Sequence, residues 1–273
     1  MKVSIIIAVY KDVEALDLII ESLKVQTYQN FEVIIAEDGN NKDMKNFVKS
    51  IKNIKIKHLS QEDNGWRKNT ILNKAIVSST SEYLIFIDGD CVPHKKFVEE
   101  HIRLKEDNVV LCGRRTEPGE YFSNLLRTKQ IDMNKFSMDY IKNYFKLKKD
   151  NIRHYEDGIY CNYNSLIGRF ADKKGKRKEA HIVGCHWSCN KNDLLKINGF
   201  DEDFKLPTTG EDTDIERRFR HFGVKMKSCR NFAILTHLYH KKVFNPEITS
   251  QTLNIMNTKR EEFVCKNGVK KYE

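Results

Sequence analysis

With 273 residues, 40% of them hydrophobic, and only 4 prolines and 13 glycines, the chain can build one large domain around a sizeable core, and a low-complexity polymer is excluded. The 48 Lys and Arg against 38 Asp and Glu leave a formal net charge of +10, which suits an anionic partner: a phosphorylated substrate, an anionic membrane surface or nucleic acid. Seven cysteines, an odd number without a C-x-x-C pair, argue for a reducing compartment, against a disulfide framework and against a zinc site.

Residues 3–10 form an apolar run that reads as a first strand; it is too short for a signal peptide and lacks a cleavage pattern. No run approaches the roughly 20 apolar residues of a membrane span. A cytoplasmic protein is therefore expected, with peripheral contact at the inner face of a membrane left open. A polar break at Lys11-Asp12 precedes a helical pattern of Leu16, Ile19, Ile20 and Leu23. Residues 31–36 are a second strand ending in Glu37-Asp38-Gly39. A polar helix follows around residues 44–51, then an alternating third strand at 54–59 and a turn at Asn64-Gly65. A helix over 68–78 puts Ile71, Leu72, Ala75 and Ile76 on one face.

Residues 83–87, Tyr-Leu-Ile-Phe-Ile, form a continuous apolar run of strand length and suit the buried centre of a parallel sheet. Asp88-Gly89-Asp90 follows where that strand should end, and open α/β sheets bind ligands there. In an extended segment the two carboxylates point the same way, and Gly89 allows close approach of the backbone. Such a pair suits a divalent cation that bridges phosphate oxygens. A plain Asp-Gly turn is the alternative. The β-α-β-α-β-α-β order predicts a doubly wound α/β sheet with right-handed crossovers.

Beyond it, residues 97–104 read as a helix and 109–113 as a strand. The pattern loosens over 114–180. Residues 122–149 are helical, with Phe136, Tyr140, Tyr144 and Phe145 among lysines, and 173–178 form a solvated basic loop. This region is a helical insertion with a charged face, or a lid that binds an acceptor or faces a membrane. Its basic and aromatic residues also suit single-stranded nucleic acid, but no RNP-like motif or zinc-finger spacing supports that, and no nucleic acid is expected. Residues 181–189 return to strand-like apolarity, and 193–197 form a short helix closed by Asn198-Gly199. Gly210-Glu211-Asp212-Thr213-Asp214 leads into Ile215, Phe219 and Phe222 at helical spacing, with Gly223 as cap. Residues 229–235 read as the last strand, reaching Thr236 to His240, and 247–266 as an amphipathic tail helix. The expected organisation is one domain over 1–273: a nucleotide-binding half (1–113), the insertion (114–180), an acceptor and catalytic half (181–244) and a tail (245–273).

Four motifs in order, SIIIAVYKD, VIIAEDGN, FIDGDC and INGFDEDF…GEDTDIERRFRHFG, resemble the family 2 glycosyltransferases of the GT-A fold over about residues 3–113 and 181–240. The stretch QEDNGWRKNTILNKAI and the late GEDTD, with a histidine after the next strand, are similar to bacterial chondroitin-polymerase modules and to the C-terminal region of the β-1,4-galactosyltransferases. The resemblance implies a Rossmann-like, mixed but mostly parallel sheet flanked by helices. It also implies a metal-dependent (Mn²⁺ or Mg²⁺), inverting transfer of a hexose or N-acetylhexosamine. The donor is a UDP-sugar, the acceptor a hydroxyl of a saccharide or lipid-linked molecule, and the setting bacterial surface-polysaccharide synthesis.

On the same resemblance, Tyr10 stacks on uracil, and Glu37 or Asp38, preferably Asp38, accepts the uracil N3–H. Arg67 pairs with the diphosphate and Trp66 walls the pocket. Asp88 lies near ribose and donor sugar, and Asp90 ligates the metal with His237, His240 being the alternative. Asp212 is the catalytic base, and Glu211 holds the acceptor hydroxyl. Gly184, Cys185 and His186 occupy the donor-sugar loop, where relatives carry Gly-Gly-Asn or Gly-Gly-x, so donor identity does not carry over. Trp187 stacks on a sugar face or fills the core. A nucleotidyltransferase is disfavoured because residues 8–12 lack glycine; a non-catalytic binding module is disfavoured by the intact Asp88, Asp90, Asp212 and His237.

Overall fold

The computed structural model describes residues 1–175, 179–207, 210–241 and 246–273. β1 (Val3–Val9), β2 (Phe31–Glu37) and β4 (Tyr83–Asp88) are almost wholly buried apolar strands, while β3 (Ile56–Ser60) is a half-exposed edge. Between them run α1 (Val13–Lys24), α2 (Lys42–Ser50) and α3 (Lys68–Ser78). Asp12 starts α1 by accepting the Ala15 N–H (3.0 Å), and Asn41 starts α2 by accepting that of Met44 (2.9 Å). After β4 come β5 (Cys91–Pro93), α4 (Phe97–Leu104), β6 (Val109–Cys112) and the insertion helices α5 (Glu120–Arg127), α6 (Met133–Met138), α7 (Tyr144–Lys149) and α8 (Leu166–Gly175). β7 (His186–Asn190), α9 (Lys191–Lys196), α10 (Gly210–His221), β8 (Lys225–Ser228), β9 (Leu235–His237) and α11 (Pro246–Thr258) complete the order.

The main sheet has the order β3-β2-β1-β4-β7-β6-β8. β1, β2, β3 and β4 are parallel, β7 is antiparallel to both β4 and β6, and β8 is parallel to β6. The sheet is therefore mixed and mostly parallel. Alternation along the strands divides the core. Ile5, Ile7, Ile85 and Ile87 pack with α1 and α4 on one face; Ile6, Ile34, Phe86 and Trp187 pack with α3 and α10 on the other. Each such fully buried side chain contributes about 1.5–3 kcal/mol. A charge at Ile6 or Ile85 would be stranded between sheet and helix.

Two consequences position the site. The carboxyl ends of β1, β2 and β4 lie on one edge, and because β7 runs the other way its beginning lies on that edge too, with His186 opposite Ile87. Separately, β5 pairs antiparallel with β9, Cys91 opposite His237, which draws the end of the chain back to Asp90.

Several boundaries differ from expectation. Residues 229–235 are not one strand: β8 precedes them, β9 begins at Leu235, and the apolar stretch between is turn, with Asn231 at φ 65°. The helical stretch 122–149 is three short helices, and α8 extends to Gly175 where a basic loop was expected; residues 176–178 of that loop lie outside the described residues. The tail helix stops at Thr258, and a 3₁₀ turn at Val269–Tyr272 seats Val269 in the core. Among the described residues no helix is long and apolar enough to cross a membrane.

Candidate functional site

A cavity of about 620 Å³ opens at the carboxyl ends of β1, β2 and β4, with Tyr10 and Asp38 at one end and Asp88, Asp90 and His240 at the other. Gly89 lies flat against β1, where a Cβ would sit 2.9 Å from the Ala8 carbonyl oxygen, so this turn tolerates no side chain.

At the first end, Asp38 accepts the backbone N–H of Arg67 (2.6 Å) and the Gln61 amide (2.8 Å). Glu37, the other half of the pair, does not reach the cavity. β2 turns it to the opposite side, where it is buried and accepts from Asn41 N–H (2.7 Å) and meets His58 Nε2 (2.8 Å). Tyr10 is half exposed at the rim; its hydroxyl accepts from Lys11 Nζ (2.7 Å) and donates to Asp63 (3.3 Å). Trp66 lines the same cavity.

Arg67 departs from expectation. It is the N-cap of α3, so its backbone N–H faces Asp38 while its guanidinium turns outward, donates to the Glu62 carbonyl and lines a separate depression with Thr70 and Glu202. The neighbouring Lys68, which the sequence reading did not single out, does enter the cleft. Its buried Nζ lies 2.8 Å from Asp88 Oδ1 and 3.0 Å from Glu211 Oε1. Burial works against its charge, but the two carboxylates hold its pKa well above that of an ordinary lysine.

Glu211 and Asp212 open α10. Burial pushes the Glu211 carboxyl up to about 7 even though Lys68 opposes it, and the nearby Asp88 and Asp212 add to the rise. Asp212 is also pushed up by burial, against the N–H groups of Gly184 (3.2 Å) and Thr213 (2.8 Å) that donate to it. Gly184 thus lies at the recess beside Asp212; His186 does not. Its imidazole is fully buried on the α4 side of β7, with Nδ1 2.7 Å from the Arg114 carbonyl and Nε2 3.1 Å from His101 Nε2. It lies so close across Gly113 that a Cβ there would fall 2.1 Å from Nδ1. Burial pushes its pKa down to about 4, so the ring is neutral. Trp187 alternates to the other face and stacks on Phe86 (centroids 4.3 Å, 14°). Of its two readings the structure has the core-filling one, with the indole flooring a narrow recess beneath Gly184, Glu211 and Asp212.

At the far end, Asp90 Oδ2 lies 3.4 Å from His237 Nε2 and 3.4 Å from His240 Nε2. Sequence offered these histidines as alternatives; the structure brings both to one carboxylate. Burial holds the His237 pKa below its ordinary value, with Asp90 pulling the other way. The ligand atoms of Asp90, Cys91 and His237 lie within 4.8 Å of one another, and His240 reaches the same carboxylate; carboxylate and imidazole donors of this kind suit Mn²⁺. Arg127 of α5, also missed, reaches the cavity while holding Asp12 through two bonds (2.9 and 2.8 Å). A second cavity of about 710 Å³, lined by Tyr121, Lys149, Arg153 and Tyr239, shares His240 with the first.

Comparison with known proteins identifies the fold and the family. Residues 166–241 match the family model described as the N-terminal domain of galactosyltransferase. A glycosyltransferase of Rickettsia felis is 32% identical over 132 residues, 45% of this chain and 21% of that protein, so the match spans about a fifth of that relative's length. The mannosyltransferase PcManGT from Pyrobaculum calidifontis, solved in complex with GDP-Man and Mn²⁺, superposes with a TM-score of 0.58 at 13% identity, over 95% of this chain and 64% of that one. S. aureus TarS 1–349, solved in complex with UDP, superposes with a TM-score of 0.56 at 15% identity, over 94% of this chain and 65% of that one. The architecture is the GT-A fold. Residues 4–176, more than half of the chain, match the model of glycosyl transferase family 2, and the protein belongs to that family.

Proposed function

We propose that this glycosyltransferase moves a hexose or N-acetylhexosamine from a UDP-sugar to a hydroxyl of a saccharide or lipid-linked acceptor. The transfer inverts the anomeric carbon and serves surface-polysaccharide synthesis on the cytoplasmic side of a bacterial membrane. The observation that carries the reading is convergence. Asp38, the Asp88–Asp90 pair and Asp212 come from three separate segments, and His237 and His240 from a fourth, yet all gather at the strand ends around one cleft.

Each group has a task in that reaction. Asp38 keeps lone pairs beyond its two N–H donors and accepts the uracil N3–H. Tyr10 offers a half-exposed ring for stacking on the base. Asp88 receives ribose or donor-sugar hydroxyls, and Lys68 supplies fixed positive charge beside the diphosphate. Asp90, His237 and His240 would hold Mn²⁺ or Mg²⁺, which when bound offsets charge on the departing UDP. Asp212 takes the proton of the acceptor hydroxyl as its oxygen bonds to the anomeric carbon, on the face opposite the breaking bond to UDP. Its raised proton affinity suits a base, and the start of α10 favours its negative charge. Glu211 orients the same hydroxyl, and the cavity beyond His240 gives the acceptor room.

Calorimetry with UDP, GDP and CDP, in Mn²⁺ and then in EDTA, tests the donor assignment. Preference for UDP by roughly tenfold or more, lost in EDTA, is the expected result. Equal affinity for the three nucleotides, or none for any, would overturn it.

A further inference from the structure

The insertion carries more apolar surface than its own folding uses. Phe136, Tyr140 and Leu147 are buried, and Tyr140 is locked by stacking on Tyr155 (4.8 Å) and by a 2.6 Å hydrogen bond with Thr116. These residues fix α6 and α7 to the body. On the opposite side Met138 is 69% exposed, Ile141 65% and Phe145 83%. Large apolar side chains clustered in water mark a surface that meets something else. They stand among five exposed lysines, Lys135, Lys142, Lys146, Lys148 and Lys149, against three aspartates, Asp132, Asp139 and Asp150, of which only Asp132 is exposed. The same character recurs on α8, where Leu166, Ile167 and Phe170 point outward beside Arg169 and Lys173.

We propose that the outer face of α6 and α7 docks the protein on an anionic lipid bilayer. Large apolar side chains flanked by long cationic ones match an interface where hydrocarbon lies just below anionic head groups. Lysine stems cover the apolar layer while their ammonium groups stay among the phosphates. A second copy of the chain is a poorer partner, because its lysines would meet like charge. A nucleic acid is poorer too, because Met138 and Ile141 offer a phosphate backbone nothing. α7 ends at Lys149, which lines the cavity shared with His237 and His240, so a bilayer docked there lies beside an opening into the site. This extends the lipid-linked-acceptor part of the function proposed above, and its test requires no transfer.

The test is flotation with vesicles of phosphatidylcholine alone and with roughly one-third phosphatidylglycerol, at low and high salt, on wild type and Ile141→Ser/Phe145→Ser. Wild type should float only with the anionic vesicles and lose most of that binding in high salt. The double variant should bind at least roughly tenfold more weakly while its UDP binding is unchanged. Lys142→Gln and Lys146→Gln should each weaken binding roughly fivefold. Phe145→Trp should keep binding and add emission that shifts to the blue when vesicles are present. Absence of vesicle binding by wild type, equal binding by the double variant, or loss of a concentration-dependent dimer in the double variant instead of vesicle binding would each overturn the proposal. UDP affinity, measured on the same samples, reports separately on the donor assignment.

Discussion

The two ends of the cleft use carboxylates in opposite ways. At the Asp38 end one acid meets two N–H donors, from Gln61 and from the backbone of Arg67. At the Asp212 end three acids, Asp88, Glu211 and Asp212, share one buried cation, Lys68. An acid matched by donors recognises; Glu211 and Asp212, taken out of water, take up protons more readily. That difference suits the first end to holding a base edge and the second to accepting a proton.

The sharpest way to break the comparison is Asp212→Asn, which keeps shape and removes the proton acceptor. Transfer should fall roughly 10²–10⁴-fold while UDP affinity by calorimetry stays close to wild type; wild-type turnover would remove Asp212 from the base role. Next is Lys68→Met, which leaves Asp88 and Glu211 without their cation. Thermal or denaturant unfolding should show a loss of about 2–3 kcal/mol, less than for a wholly buried pair because Asp88 is 31% exposed. No loss would mean that the acids do not depend on this cation.

Glu211→Gln sharpens the point through pH. The native Glu211 carboxyl titrates near 7 against an ordinary 4.5, so between these values the folded protein binds the extra proton. The contribution of this group to stability is therefore complete below about 4.5 and lost as pH rises through about 7. Unfolding free energies measured across that window should fall more steeply with pH in wild type than in Glu211→Gln; parallel curves would contradict the raised proton affinity of the buried carboxyl. The smallest effect is expected of Arg67→Ala. UDP affinity should stay within about twofold, because the backbone N–H that serves Asp38 survives and the guanidinium already faces away.

Much of this was legible in the chain. The run at 83–87 predicts a central strand, and the acids after it do reach the cleft, because the period of a buried strand fixes where its last residue points. Asp212 at the start of an amphipathic helix was legible for the same kind of reason. What failed depended on phase or on pairing across the chain. Arg67 and Lys68 differ by one residue, and only the capping geometry of α3 decides which side chain enters. His186 looked like part of a ligand loop, but β7 runs antiparallel and its alternation sends the ring to the far face. The last strand was misplaced because its partner is the short β5, far away in sequence, and local apolarity at residues 229–234 says nothing of that.

The β5–β9 ribbon has a consequence for how the protein is made. Asp90 emerges well before His237 and His240; Thr116 pairs with β9, accepting the His237 N–H and donating its own to Leu235, while the Asp90 carbonyl accepts the Leu238 N–H. A nascent chain can finish the parallel half of its sheet while this corner remains open. The corner closes through a contact that spans most of the sequence, which is the slow kind to form. A truncated translation product that stops before His237 would keep Asp38, Asp88, Lys68, Glu211 and Asp212 and leave Asp90 without its two histidines.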